Sequence, residues 1–236
     1  MNLENFLYAI LSGMLPALIW LWFWLKEDTL HPEPRSLIAT TFLSGGLAVV
    51  IAILLEKIVA DMVTDSNLRY ILWAAIEEIV KFGLVLLIAF RSRYIDEPID
   101  AMIYCITMAL GFAAIENAFF ILSPLGAGEI AKSIVTGNMR FIGATLVHVV
   151  SSAAIGFMFG LAFYKNIYIK ILSTSFGIIL SIALHASFNL TIINLTATST
   201  LKVFAWVWCA VVILIILFEE IKGVKPKTVR NNNLIA

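Results

Sequence analysis

Residues 73–82 hold two adjacent carboxylates and an ammonium, Glu77, Glu78 and Lys81. The surrounding run, 68–90, otherwise reads as a membrane-spanning helix. A charged side chain near the centre of such a helix costs about 2.5–3.5 kcal/mol on insertion scales. Charges kept at that cost need partners, and they mark chemistry. Glu77 and Lys81 are spaced i,i+4 and Glu78 and Lys81 i,i+3, so the lysine can neutralise either carboxylate. One negative charge, or one shared proton, is left over.

Other apolar runs carry further polar groups. Glu116-Asn117 follows the small residues Ala109, Gly111, Ala113 and Ala114. His148 lies on an i+4 stripe with Ala144, Ser152, Gly156 and Gly160, a pattern of close helix contact. His185 and Asn189 share a stripe with Gly177 and Ser181. Two imidazoles and a carboxylate are a common ligand set for catalytic zinc, with water in the open position and a further glutamate as base. A metal-free version also works. A glutamate held beside a second glutamate in a desolvating site is poised to move protons near neutral pH, and histidine and Asn189 would stabilise an oxyanion. Carboxylate–histidine chains also relay protons in transporters.

The elements that must position these groups are membrane helices. The 236-residue chain is 61% hydrophobic, with 16 basic and 16 acidic residues. No basic surface is available for nucleic acid. Cys105 and Cys209 fall in apolar runs and read as packing residues rather than a disulfide or thiolate site. Runs at 4–25, 37–60, 68–90, 99–122, 140–164, 169–195 and 201–221 can each cross a bilayer, which needs about 20 helical residues. The first lacks a basic leader and a cleavage site, so it reads as a retained span. The reading is an all-α, multi-pass bundle of about seven transmembrane helices in the cell membrane. Residues 1–221 form one domain, and 222–236 form a basic, polar cytoplasmic tail. The longest connection, 123–139, reads as a loop or a short surface helix.

Lys26, Arg35, Arg91, Arg93, Lys165, Lys170 and the basic residues of the tail fall on one side. Lys57, Arg69, Lys132, Arg140 and Lys202 fall on the other. The excess marks the first side as cytoplasmic and the N-terminus as outside. At about 1.5 Å per residue from the outer ends, Glu77 lies about 13 Å deep and Glu116 about 9 Å. His148 lies about 12 Å, His185 about 15 Å and Asn189 about 9 Å deep. Four helices thus place carboxylates, imidazoles and an amide in one layer.

The chain resembles the PrsW family of intramembrane proteases, itself similar to the CAAX-prenyl-endopeptidase and bacteriocin-processing superfamily. The matching pieces are Glu77-Glu78-x-x-Lys81, Asp96-Glu97-x-x-Asp100-x-x-x-Tyr104 and Gly111-Phe112-x-x-x-Glu116-Asn117. His148 with Gly156-x-x-x-Gly160, and His185-x-x-x-Asn189, follow in family order. The match begins near Asp28 and Glu33-Pro34. Ala101 and Cys105 stand where glycines are expected, and Asn189 where some relatives have aspartate. The resemblance implies an endopeptidase cutting a membrane-anchored protein, with site-1 cleavage of an anti-sigma factor outside the membrane as the family's case. It carries a metalloprotease label, while glutamate-type chemistry is argued in the superfamily, so zinc stays open. The expected catalytic residues are Glu77, Glu78, Glu116, His148, His185 and Asn189. Glu77 or Glu78 would be the base. Glu116, His148 and His185 would hold a metal or water, with Lys81 and Asn117 balancing charge. The rival readings are a proton-coupled transporter and a non-catalytic membrane scaffold. The absence of repeat symmetry weighs against transport.

Overall fold

A computed structural model describes residues 3–27, 31–193 and 200–226. Asp28, most of the connection at 196–200 and the tail beyond residue 226 lie outside these. The helices are α1 (Leu3–Glu27), α2 (Arg35–Met62), α3 (Ser66–Ile88), α4 (Asp100–Gly126), α5 (Ile130–Met139), α6 (Thr145–Leu161), α7 (Ile167–Ile193) and α8 (Thr200–Lys222). A π-helical turn, Arg140–Ala144, joins α5 to α6 without a break. There are no strands among the described residues. Among the described residues, six helices are long and apolar enough to cross a membrane: α1, α2, α4, the joined α5–α6, α7 and α8. The seventh long helix, α3, is 23 residues and differs in its charges. It packs among the others. The protein is a multi-pass membrane helix bundle, as its apolar runs predict.

Two spans have ends other than the hydropathy pattern suggests. α4 continues through Pro124 to Gly126, and the chain turns at Gly128, whose φ of +79° favours glycine. The stretch after it is helical, so the connection at 123–139 is mostly α5 rather than loop. Its helix runs on into the fifth span, which therefore begins well before residue 140.

α4 is the axis of the bundle. It is apolar on every face, and almost every residue from Asp100 to Ala114 is buried. Lipid supplies no hydrophobic drive to hold helices together, so close van der Waals contact must do it. Glycines make that contact possible at three crossings. A Cβ on Gly13 of α1 would stand 2.3 Å from the carbonyl oxygen of Ala114. One on Gly45 of α2 would stand 2.3 Å from that of Met108, and one on Gly156 of α6 2.6 Å from that of Ala101. Gly111 of α4 answers Gly45: a Cβ there would meet the Phe42 carbonyl oxygen at 1.9 Å. α3 and α7 close the other side, α3 against α2 and α7 against α6 and α3. α3 begins on a side-chain cap, Asp65 Oδ1 accepting from the Leu68 N–H at 2.7 Å.

A Gly111→Ala substitution is expected to push α2 off α4. The overpacking cost is about 1–3 kcal/mol, read as a lower Tm of the purified protein in detergent. Gly83→Ala in α3 is the control. A Cβ there meets nothing within 4 Å, and removing a mid-helix glycine should leave Tm unchanged or raise it, by up to about 1 kcal/mol.

Candidate active site

The polar residues of four spans converge where α3, α4, α6 and α7 meet. Glu78 is fully buried and accepts four hydrogen bonds. Its Oε1 takes Lys81 Nζ at 2.5 Å and His185 Nδ1 at 2.8 Å. Its Oε2 takes the hydroxyls of Ser152 and Ser181, each at 2.9 Å. An ionised carboxylate only accepts, so His185 Nδ1 carries the proton and Nε2 keeps a lone pair. Lys81 is 1% exposed and sits 4.9 Å from the ring centre of Phe112. Spacing alone allows Lys81 to choose either glutamate, and in the fold it chooses Glu78.

Glu116 forms a second carboxylate–histidine pair. Its Oε2 accepts from Arg140 at 2.5 Å and from His148 Nε2 at 2.8 Å. Arg140 also donates to Asn117 Oδ1 at 2.6 Å, and Asn117 donates to the Thr145 hydroxyl at 2.9 Å. The guanidinium lies 3.9 Å from the ring centre of Phe120. A cation beside this carboxylate keeps it an acceptor, so His148 carries its proton on Nε2. Its Nδ1 faces Lys81 Nζ at 3.3 Å, a group that can only donate, so Nδ1 also offers a lone pair.

Two ring nitrogens, His185 Nε2 and the His148 Nδ1 that also faces Lys81, approach one oxygen. His148 Nδ1 and His185 Nε2 each stand 3.8 Å from Glu77 Oε2. The imidazole rings lie edge to face, with centroids 4.8 Å apart. Glu77 is 6% exposed, and its Oε2 has no hydrogen-bond partner among the described residues. A buried, unpaired carboxylate oxygen is costly and requires an explanation. A donor from each of Glu77, His148 and His185 falls within 4.8 Å of the others. Ligands on a tetrahedral zinc are separated by roughly 3.3 Å, given zinc–nitrogen bonds near 2.0–2.1 Å. The unpaired oxygen and the donor types therefore fit such an ion. Each histidine's second nitrogen is already bonded to a carboxylate, as ligand histidines usually are.

These groups form the floor of a cavity of about 490 Å³. Glu77, Glu116, His148, His185 and Asn189 line it; Glu78 and Lys81 lie behind the wall. The layer expected from depth alone is present, but the grouping inside it differs. The role assignment that followed the resemblance put Glu116 with the two histidines, whereas the three-donor group holds Glu77, with Glu116 bonded to the other nitrogen of His148. Asn189, half-buried, lines the cavity one turn from His185.

Arg140 was not legible as a site residue. By position it counts as a basic residue at a span end, and only the π-turn that it opens carries it onto Glu116. Ser152 and Ser181 were visible as small polar members of the histidine stripes, although nothing in the spacing tied them to Glu78. Glu56, Tyr70 and Trp73 also line the cavity and gave no signal.

A family model described as PrsW family intramembrane metalloprotease matches residues 33–218. The chain belongs to that family. Proteins named Protease PrsW are similar to it over parts of their length. The one from Geobacillus kaustophilus is 27% identical over 156 residues, covering 65% of this chain and 66% of its own. That from Clostridioides difficile is 34% identical over 130 residues, 52% of each chain. That from Shouchella clausii is 23% identical over 187 residues, 76% of this chain and 81% of its own. The first two alignments span less than two thirds of those relatives. No solved structure matches the chain.

The geometry separates the two adjacent glutamates. Glu78→Gln leaves Lys81 as an uncompensated buried charge, a loss of about 3–5 kcal/mol. Glu77→Gln removes a charge with no hydrogen-bond partner and is expected to leave the protein as stable as the parent, or more so. Thermal unfolding of the two purified variants in detergent checks this. Equal melting points would refute the division of roles.

Proposed function

We propose that this PrsW-family chain is an intramembrane endopeptidase, and that it hydrolyses a peptide bond of a membrane-anchored protein. The single observation that carries the reading is the unpaired Glu77 oxygen, faced by two histidine nitrogens at 3.8 Å on the floor of a cavity. A water reaching that floor meets a proton acceptor and two oriented ring nitrogens. The family match supports peptide hydrolysis as the chemistry.

Glu77 Oε2 takes a proton from the attacking water, whose oxygen adds to the scissile carbonyl. Asn189, on the cavity wall, donates its amide N–H to the oxyanion. The carbon–nitrogen bond breaks as the leaving amine receives the proton from Glu77. Glu78 keeps His185 in the tautomer that presents Nε2. Glu116, held by Arg140, does the same for His148 Nδ1. Glu116 also lines the cavity. Glu77, His148 and His185 would hold zinc if one binds, and the ion would then supply a Lewis acid and a more acidic water in place of Glu77 as the base.

The substrate is taken to be an anti-sigma factor, the membrane-anchored class implied by the family resemblance. The distribution of basic residues supports an outside N-terminus, a cytoplasmic tail and a site in the outer half of the bilayer. Residues 1–221 act as one protease domain.

Glu77→Ala, His148→Ala and His185→Ala are each expected to lower cleavage of a membrane-anchored substrate in proteoliposomes by about 10² or more, the scale of one acid–base or electrostatic contribution. Cleavage at the parental rate in all three would sink the assignment. Zinc measured in the purified parent, and lost from both histidine variants, is the expected outcome for the metal site. Equal zinc in parent and variants would remove these residues as its ligands.

A further inference from the structure

The cavity wall carries a carboxylate that the proposed reaction leaves unused. Glu56 of α2 lines the cavity beside Tyr70 and Trp73 of α3. Among the described residues its side chain makes no ion pair and no hydrogen bond; only its backbone carbonyl is engaged, by Trp73 Nε1 at 3.1 Å. That bond seats the indole against this turn of α2. Tyr70 packs edge to face on Trp73, with centroids 5.3 Å apart. Arg69, next to Tyr70 in the chain, donates to the Val63 carbonyl at 2.7 and 3.2 Å.

The other two cavity carboxylates are accounted for. Glu116 has Arg140 and His148, and Glu77 faces the two histidine nitrogens. Val49 and Ile53 line the cavity from the same helix, and Glu116 with its partner Arg140 lines it from α4 and the π-turn. A carboxylate in an aromatic, partly desolvated recess, with no cation supplied by the chain, suits a cation supplied by a ligand. Ammonium and guanidinium groups are attracted both to the carboxylate and to the neighbouring rings.

We propose that Glu56, Tyr70 and Trp73 form a subsite for a lysine or arginine side chain of the substrate. The proposal rests on the endopeptidase reading and narrows it: the substrate carries a basic residue near the cut. Trp73 precedes Glu77 by one helical turn, about 6 Å along the axis. An extended peptide advances about 3.3 Å per residue. The basic residue therefore falls roughly two positions from the cleaved bond.

The test uses the full-length protein in proteoliposomes and a labelled apolar membrane-anchored peptide with one lysine at that position. Its counterpart carries glutamate in the same place. Binding and cleavage are both measured. The parent is expected to prefer the lysine peptide by about tenfold or more in Kd and in kcat/KM. Glu56→Gln should collapse the ratio, and Glu56→Lys should invert it toward the glutamate peptide. A ratio is unaffected by a general loss of folded protein, and Glu56→Asp, which keeps the charge, should retain the preference. A parent that binds both peptides equally overturns the subsite, whether or not either is cut. So does a lysine preference that survives Glu56→Gln. A lysine preference in binding with no cleavage of either peptide supports the subsite and counts against the endopeptidase reading instead.

Discussion

The ion pair between Glu78 and Lys81, sealed inside the bundle, is what the rest of the site depends on. Taking two charges out of water costs several kcal/mol per ion, and attraction offsets that only when the remaining lone pairs are filled. Here they are filled from three helices: Lys81 from α3 itself, Ser152 from α6, and Ser181 and His185 from α7. Each of those bonds constrains how one helix is rotated against another. In lipid, where apolar contact does not by itself favour one rotation over the next, such a polar node selects the arrangement. The glycine contacts along α4 set how close the helices come, and Glu78 sets which faces meet.

From that node follows a division of labour among three glutamates in one layer. Glu78 has every lone pair occupied and is a structural anion. Glu116 is neutralised by Arg140 and aligns His148. Glu77 is the residue left over, buried with an unpaired oxygen between two histidine nitrogens. A fold selected for stability alone would pair that oxygen or replace the residue. Its cost is understandable if a water, an ion or a reacting group completes it. The two carboxylate–histidine pairs have the same logic, although they use opposite ring nitrogens: one nitrogen is tied back so that the other is aimed forward.

How much of this could be read beforehand depended on which coordinate a residue pattern encodes. Hydropathy gives the position of a residue along a span, so the common depth of Glu77, Glu116, His148 and His185 was legible. The i+4 stripes of small residues gave the facing sides of α6 and α7. Rotation about the helix axis relative to distant neighbours is not encoded locally. Hence Lys81 had two candidate partners, at i,i+3 and i,i+4, and depth alone left open which of Glu77 and Glu116 joins the histidines. Arg140 escaped for a related reason. A π-turn inserts residues outside the 3.6-residue period, so helical phase cannot be carried from α5 across Arg140–Ala144 into α6. The helical character of α5 was half legible: Ile130, Ile134 and Val135 suggested a short helix, while Gly126, Gly128 and Gly137 resemble loop punctuation and kept a plain loop open.

The same charges that make α3 the chemical helix prevent it from being an independent membrane span. With Glu77, Glu78 and Lys81 each costing about 2.5–3.5 kcal/mol against lipid, α3 has to be packed to be stable. Beyond the Glu78–Lys81 pair within α3, the partners of those charges lie later in the chain, on α4, α6 and α7. The helix that carries Glu77 is therefore secured only once the histidines that face it are in place. Formation of the reacting group and completion of the bundle are one event, and a partly assembled protein would not present an open carboxylate to the membrane. For a chain whose proposed reaction breaks peptide bonds inside a bilayer crowded with other proteins, that coupling keeps the chemistry confined to the finished cavity.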